Sequence, residues 1–166
     1  MDADILEELY RKYYSSAVLY CLALCGDDHL SQDIASDAFV KAYLSLPNQV
    51  PSFRYWLLRV CRNLWIDHLR KRKWEASREP LEYMSDSVTP ESHYLQGEQI
   101  RCLWKCISEL PSQDRELLVL HYVSGLSLQE SAKLLGCSYT AVRQRMVRLR
   151  QTLKLRMEEQ GYGKLE

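Results

Sequence analysis

Between Tyr139 and Arg156 the chain carries six cations, Arg143, Arg145, Arg148, Arg150, Lys154 and Arg156, and no acid. Guanidinium groups at this density suit a polyanion, because they pair with phosphate oxygens and with the acceptor edge of guanine. Val142, Met146, Leu149 and Leu153 run through the same stretch at spacings of four, three and four, the period of one helix face. With that face turned inward, a rotation of about 100° per residue points Thr140, Gln144, Val147 and Arg148 outward. Arg143, Arg150 and Lys154 then flank one side, and Arg145 and Arg156 the other. Gln144 and Arg148 are positioned to read base edges while the flanking cations hold phosphates. The plainer alternative is a solvated cationic surface helix.

The residues ahead of this helix favour the first reading. Ser127 is an expected N-cap, and Glu130 three residues later completes a capping box. Leu128, Ala132 and Leu135 repeat at four and three, Gly136 supplies a left-handed stop, and Ser138 caps the second helix. Two short helices around a tight turn, the second basic, form a helix-turn-helix suited to the DNA major groove.

The 166 residues have a formal net charge of zero, 46% hydrophobic and 27% charged side chains, values of a soluble globular chain. The charge is unevenly spread. Arg54 to Trp74 holds seven cations and one acid, whereas Glu75 to Gln99 holds six acids against Arg78 alone.

Apolar spacing of three and four throughout predicts an all-α fold. A first helix is expected from Asp4 to Leu24, with Leu6, Leu9, Tyr13, Ala17, Tyr20 and Leu24 inward and Gly26 as its stop. A second begins near Ser31, with Ile34, Ala38 and Leu44 inward and Asp33, Asp37 and Lys41 outward. Pro47 and Pro51 break it.

A third helix, Phe53 to Lys73, has Leu57, Val60, Cys61 and Leu64 as its core side. Arg59, Arg62, Asn63, Arg70 and Lys73 lie opposite, with Trp56 at the edge. Cations beside an accessible indole suit unpaired bases, which stack on rings. By residue type alone, Trp56 and Trp65 serve equally well as core.

Residues 75–91, with Pro80, Pro90 and no helical period, read as an acidic linker. A second domain, 92–166, opens with a helix from Ser92 to Glu109 that turns Ile100, Leu103 and Ile107 inward, and another starting at Pro111 and Ser112. The expected architecture is two small helical domains, 1–74 and 92–166, the second containing the helix-turn-helix.

Three segments, SQDIASDAFVKAY (31–43), FRYWLLRVCRNLWIDHLRKRK (53–73) and the stretch from Leu110 to Leu153, occur in the order and spacing of a known family. In them the chain resembles an extracytoplasmic-function (ECF, group IV) sigma factor, which keeps regions two and four of the sigma-70 family of bacterial RNA polymerase. The resemblance implies that Asp33, Asp37, Phe39 and Tyr43 dock on the clamp helices of the polymerase largest subunit. It implies that Asn48, Gln49, Phe53, Trp56, Arg59, Arg62, Asn63, Arg70 and Lys73 melt the minus-10 element and capture a flipped base. Ser138, Tyr139, Thr140, Arg143, Gln144, Arg145, Arg148 and Arg150 would read the minus-35 element. Further implied partners are the flap of the second-largest subunit, promoter DNA and an anti-sigma factor, which in such systems is often membrane-bound. The linker resembles the connector that threads toward the active-site and RNA-exit channels. Asp67, an acid on a basic rim, is expected to orient an arginine or a helix end.

Other classes fit less well. No cofactor, metal or small-molecule substrate is expected: His29, His68, His93 and His121 stand apart, and no Gly-rich phosphate loop occurs. Cys21 with Cys25, and Cys102 with Cys106, have metal-compatible spacing but apolar neighbours, and read as reduced core residues. The longest apolar run, Ala17 to Cys25, is nine residues, short of the roughly 20 that span a bilayer. With an acidic start, the chain is expected in the cytoplasm. A response-regulator type of DNA-binding protein would need a strand-containing receiver domain first, and a helical scaffold would ignore polymerase.

Overall fold

The computed structural model of the chain describes residues 2–46, 52–76 and 97–162, and divides it into two compact units, 1–87 and 88–166. Among the described residues every regular element is helical. The acidic linker lies outside them apart from Glu75 and Ala76.

The first unit contains α1 (Ala3–Cys25), α2 (Asp28–Ser45) and α3 (Phe53–Ala76), each packed on the other two. Gly26, at φ 69°, stops α1 by donating its N–H to the Leu22 carbonyl. Asp27 at once caps α2, its Oδ1 accepting from the Leu30 N–H at 2.9 Å. This cap explains why α2 starts at Asp28, three residues before the expected Ser31.

The core is built from Ala17, Val18, Tyr20, Cys21 and Leu22 of α1, Ile34, Ala35, Ala38, Phe39 and Ala42 of α2, and Leu57, Leu58 and Cys61 of α3. Two expectations are corrected. Leu44 is 73% exposed rather than inward, because Ala42, four residues after Ala38, takes the last covered position. Leu58 is buried, whereas Val60 and Leu64 are half-buried, so the inward face of α3 is rotated toward Leu58.

The second unit contains α4 (Glu98–Ser108), α5 (Ser112–Leu118), α6 (Leu128–Leu135) and α7 (Tyr139–Glu159). Pro111 precedes α5 as expected, and α5 continues into a π-helical turn, Val119–Val123, closed by the Ser124 N–H to Val119 carbonyl bond at 2.9 Å. Of the helix expected from Ser92, residues 92–96 lie outside the described ones. Ile100 is 52% exposed rather than inward, since burial on α4 begins one turn later, at Trp104, Cys106 and Ile107. Leu117, Leu118, Leu120, Leu126, Ala132, Val142, Met146, Leu149 and Met157 complete this core.

Candidate nucleic-acid interface

The helix-turn-helix is built locally. Ser127 Oγ accepts from the Glu130 N–H at 3.0 Å while Glu130 Oε2 accepts from the Ser127 N–H at 2.8 Å, the reciprocal capping box. Gly136, at φ 68°, ends α6, and the Cys137 N–H reaches back to the Ala132 carbonyl at 3.0 Å. Ser138 Oγ then accepts from the Ala141 N–H at 3.2 Å, which fixes the start of α7. Ser138 therefore has a structural role at a position expected to meet DNA.

Burial of Val142, Met146 and Leu149, with Leu153 half-buried, sets the rotation of α7. Tyr139, Thr140, Arg143, Gln144, Val147 and Arg148 are exposed, and Thr140, Gln144, Val147 and Arg148 form the outward face that the wheel predicts. The flanks are not uniform. Arg145 Nε lies 3.5 Å from Asp114 Oδ1, with side chains 28% and 24% exposed, which ties α7 to α5. Arg156 Nη1 donates to the Cys106 carbonyl at 3.3 Å and stands 4.0 Å from Glu109 Oε2. On the opposite flank Arg150 Nε donates to the Tyr122 hydroxyl of the π turn. Its guanidinium carbon is 5.7 Å from the Tyr122 ring centre. Because the bond is made at the hydroxyl, the guanidinium sits at the ring's polar end rather than centred on its face, and the hydrogen bond carries the contact. Beside it, His121 Nδ1 is 2.7 Å from the Leu126 carbonyl, so that nitrogen carries the proton.

On the first unit, Arg59, Asn63, Arg70 and Lys73 are exposed along α3, and Arg62 is half-buried. Arg70 Nη1 is 3.8 Å from Asp67 Oδ1, so Asp67 does face an arginine. Both side chains are open to water, where such a pair contributes little stability. Trp56 is half-buried and stacks on Phe53, ring centres 6.0 Å apart at 27°. Part of its indole is packed and part is accessible. Asn48 and Gln49 lie outside the described residues.

The four docking candidates are less alike than their sequence suggests. Asp33, Asp37 and Tyr43 are exposed on α2, whereas Phe39 is 5% exposed. Its ring is packed between Tyr10 at 5.1 Å, Tyr14 at 6.1 Å and Phe53 at 6.0 Å. Phe39 is a core residue that supports this surface from beneath. Sequence patterning missed an apolar groove beside it, lined by Leu6, Tyr10, Phe39, Val40 and Tyr43, about 520 Å³ in volume. Asp33 and Asp37 instead line a cleft with Lys41, Asp67, Arg70 and Lys71, where α2 faces the basic end of α3.

Burial does not activate Cys21 or Cys106. The hydrogen bond and charge of Cys61, with desolvation, push the Cys21 thiol well above its ordinary value, and burial and Cys102 raise Cys106. Among the described residues no group of three His, Cys, Asp or Glu side chains is arranged to hold a metal, and no helix is long and apolar enough to cross a membrane.

One helical unit carries basic residues along α3 and the other presents a capped helix-turn-helix, a layout suited to nucleic acid. Comparison with known proteins gives the family. Residues 9–75 match sigma-70 region 2 and residues 100–153 match sigma-70 region 4. The chain belongs to the sigma-70 family and is an alternative sigma factor of the ECF type, a class that directs promoter-specific transcription.

It is 29% identical over 153 residues to the ECF sigma factor SigM of Bacillus subtilis, covering 90% of this chain and 93% of that one. It is 38% identical over 141 residues to RfaY of Xanthomonas campestris pv. campestris, named a probable RNA polymerase sigma factor. That match covers 80% of this chain but only 35% of RfaY, so the chain spans about a third of that protein's length. The fold is also that of the sigma factor RpoE of Bartonella quintana, solved in complex with the anti-sigma factor NepR. The TM-score is 0.72 at 20% identity, covering 92% of this chain and 96% of that one.

Proposed function

We propose that α7 reads the minus-35 element, Gln144 and Arg148 touching base edges while Arg143 and Lys154 meet phosphates. We further propose that α3, with Trp56 beside Arg59, Arg62 and Asn63, opens the minus-10 element and receives a flipped base. Asp33, Asp37 and Tyr43 of α2 dock on the clamp helices of the largest polymerase subunit, and the second unit meets the flap of the second-largest. The observation that carries this reading is the outward face of α7, whose exposed Thr140, Gln144 and Arg148 project from a helix capped and fixed at its start.

Neither basic surface alone carries enough charge for tight binding, and the whole chain has none in net. Specificity therefore comes from two modules held at a fixed separation by polymerase, an avidity effect. The chain acts as a cytoplasmic initiation subunit rather than a catalyst, without a cofactor. An anti-sigma factor that covers the docking and DNA surfaces, held at the inner face of the membrane, would keep it inactive.

The test is transcription from a genomic fragment library by core polymerase with and without the chain, mapping new start sites. New starts that share one pair of upstream elements support the reading. Unchanged starts, or a tight and specific duplex complex formed without polymerase, would overturn it.

A further inference from the structure

Three sulfur atoms converge where α4 packs on α7. Cys106 Sγ of α4 lies 4.0 Å from Met157 Sδ of α7, and both side chains are buried. Cys102, one turn back on the same face of α4, hydrogen-bonds with the Cys106 thiol and is only half-buried, which leaves a way in from solvent. Met157 is fixed through its backbone: its carbonyl accepts the Gln160 N–H at 3.2 Å and the Tyr162 N–H at 3.0 Å.

This spacing suits a soft metal ion. Two sulfur ligands about 2.3 Å from one ion and about 120° apart stand about 4.0 Å from each other, and Cys106 and Met157 already have that separation. Thiolates with a thioether select Cu(I), whereas structural zinc takes four ligands. Among the described residues no third His, Cys, Asp or Glu joins Cys102 and Cys106 in a metal-holding arrangement, and a thioether lies outside that set.

We propose that Cys102, Cys106 and Met157 form a Cu(I) site that ties α4 to α7. On binding, each thiol loses its proton to solvent and the ion accepts three sulfur lone pairs, so two neutral thiols and one monovalent cation become a singly negative centre. Arg156 is placed to balance that charge, since its Nη1 donates to the Cys106 carbonyl at 3.3 Å. Without metal, burial and then Cys102 hold the Cys106 thiol protonated above its ordinary range, with Glu109 acting in the same sense and Arg156 against it. Only an ion that bonds sulfur strongly displaces those protons. The site is independent of the promoter reading of α7.

The test is anaerobic titration of the whole reduced chain with Cu(I) against a chromogenic chelator, with X-ray absorption at the copper edge. The wild-type chain should hold one equivalent with three sulfur neighbours, and its unfolding midpoint should rise with copper concentration. Cys102→Ser should release that equivalent. Met157→Leu conserves volume, so the metal-free protein should unfold at nearly the wild-type temperature, yet Cu(I) affinity should fall at least about tenfold. Cys137→Ser and Cys25→Ala, which alter thiols elsewhere, should change neither number.

The proposal is overturned if no equivalent is held, or if Cys102→Ser retains it with unchanged affinity, since the three sulfurs would then be ordinary core atoms. Loss of the equivalent in Cys137→Ser or Cys25→Ala would place the copper on those thiols instead. Unchanged affinity in Met157→Leu would remove the thioether, and displacement of the copper by equimolar Zn(II) would remove the preference for a soft monovalent ion; either result overturns the site as assigned.

Discussion

Phe39 of α2 and Phe53 at the first turn of α3 hold their ring centres 6.0 Å apart, inclined at 52°. Through this contact an aromatic chain runs from Tyr10 and Tyr14 on α1 to Trp56 on α3, joining the proposed docking face to the proposed minus-10 face. Aromatic pairs of this kind contribute about 0.5–1.5 kcal/mol beyond the area they bury. Phe39→Ala should therefore destabilise the protein by about 3–5 kcal/mol, the range for truncating a buried phenylalanine. Asp37→Ala, an exposed change on the same helix, should leave stability nearly unaltered and weaken assembly with core polymerase. Urea denaturation and polymerase pull-down distinguish them. Loss of polymerase binding in Phe39→Ala with normal stability would make Phe39 a direct contact instead.

Gln144 and Arg148 share the outward face of α7 with no hydrogen bond to another element among those described, which leaves their polar ends available to bases. Alanine at either should change which upstream base is preferred, by about 1–3 kcal/mol in discrimination. Lys154→Ala should weaken all promoters alike and lower the salt slope by about one. Start-site usage across a promoter library randomised in the upstream element measures both. Uniform losses from all three substitutions would argue against base reading.

Tyr122 and Arg150 form a pair between the π turn and α7, so Arg150 does more than offer charge. Arg150→Ala and Tyr122→Phe should each reduce promoter binding, and the double substitution should cost less than the sum, the mark of coupled residues. Lys154→Ala combined with Tyr122→Phe should be additive. Competition binding of the four holoenzymes to one promoter gives the coupling. An additive Arg150 and Tyr122 pair would return Arg150 to a plain phosphate contact.

The parts of this architecture legible in the sequence are those set by neighbours within a few residues. The Ser127 and Glu130 box, the Gly26 and Gly136 stops and the Val142 to Leu153 face all rest on such spacings, and the structure reproduces them. Leu44 and Ile100 continue an apolar period past the point where another helix covers it, and a periodicity carries no record of where its partner ends. The cations of α7 look equivalent in sequence because Asp114, Tyr122 and Cys106, which engage three of them, are 28 to 50 positions distant. The inward turn of Phe39 is hidden for the same reason: its partners come from α1 and α3.

Cys21 supplies a prediction about pH. Its thiol is fully buried, and hydrogen bonding with Cys61, followed by desolvation, raises it well above the ordinary 9.0. In the unfolded chain the same thiol ionises near that ordinary value and is stabilised as pH rises further, while the folded thiol stays protonated. The stability it contributes is therefore complete below about pH 9 and declines above it, by up to about 1.4 kcal/mol per pH unit. Thermal unfolding under reducing conditions, followed from about pH 8 to 10.5, should show the wild-type protein losing stability more steeply than Cys21→Ala. The comparison rests on the two slopes, because alanine leaves a small cavity that lowers stability at every pH. Parallel curves would mean that Cys21 ionises as readily in the folded core as in the open chain, and that the contact with Cys61 does not hold its proton.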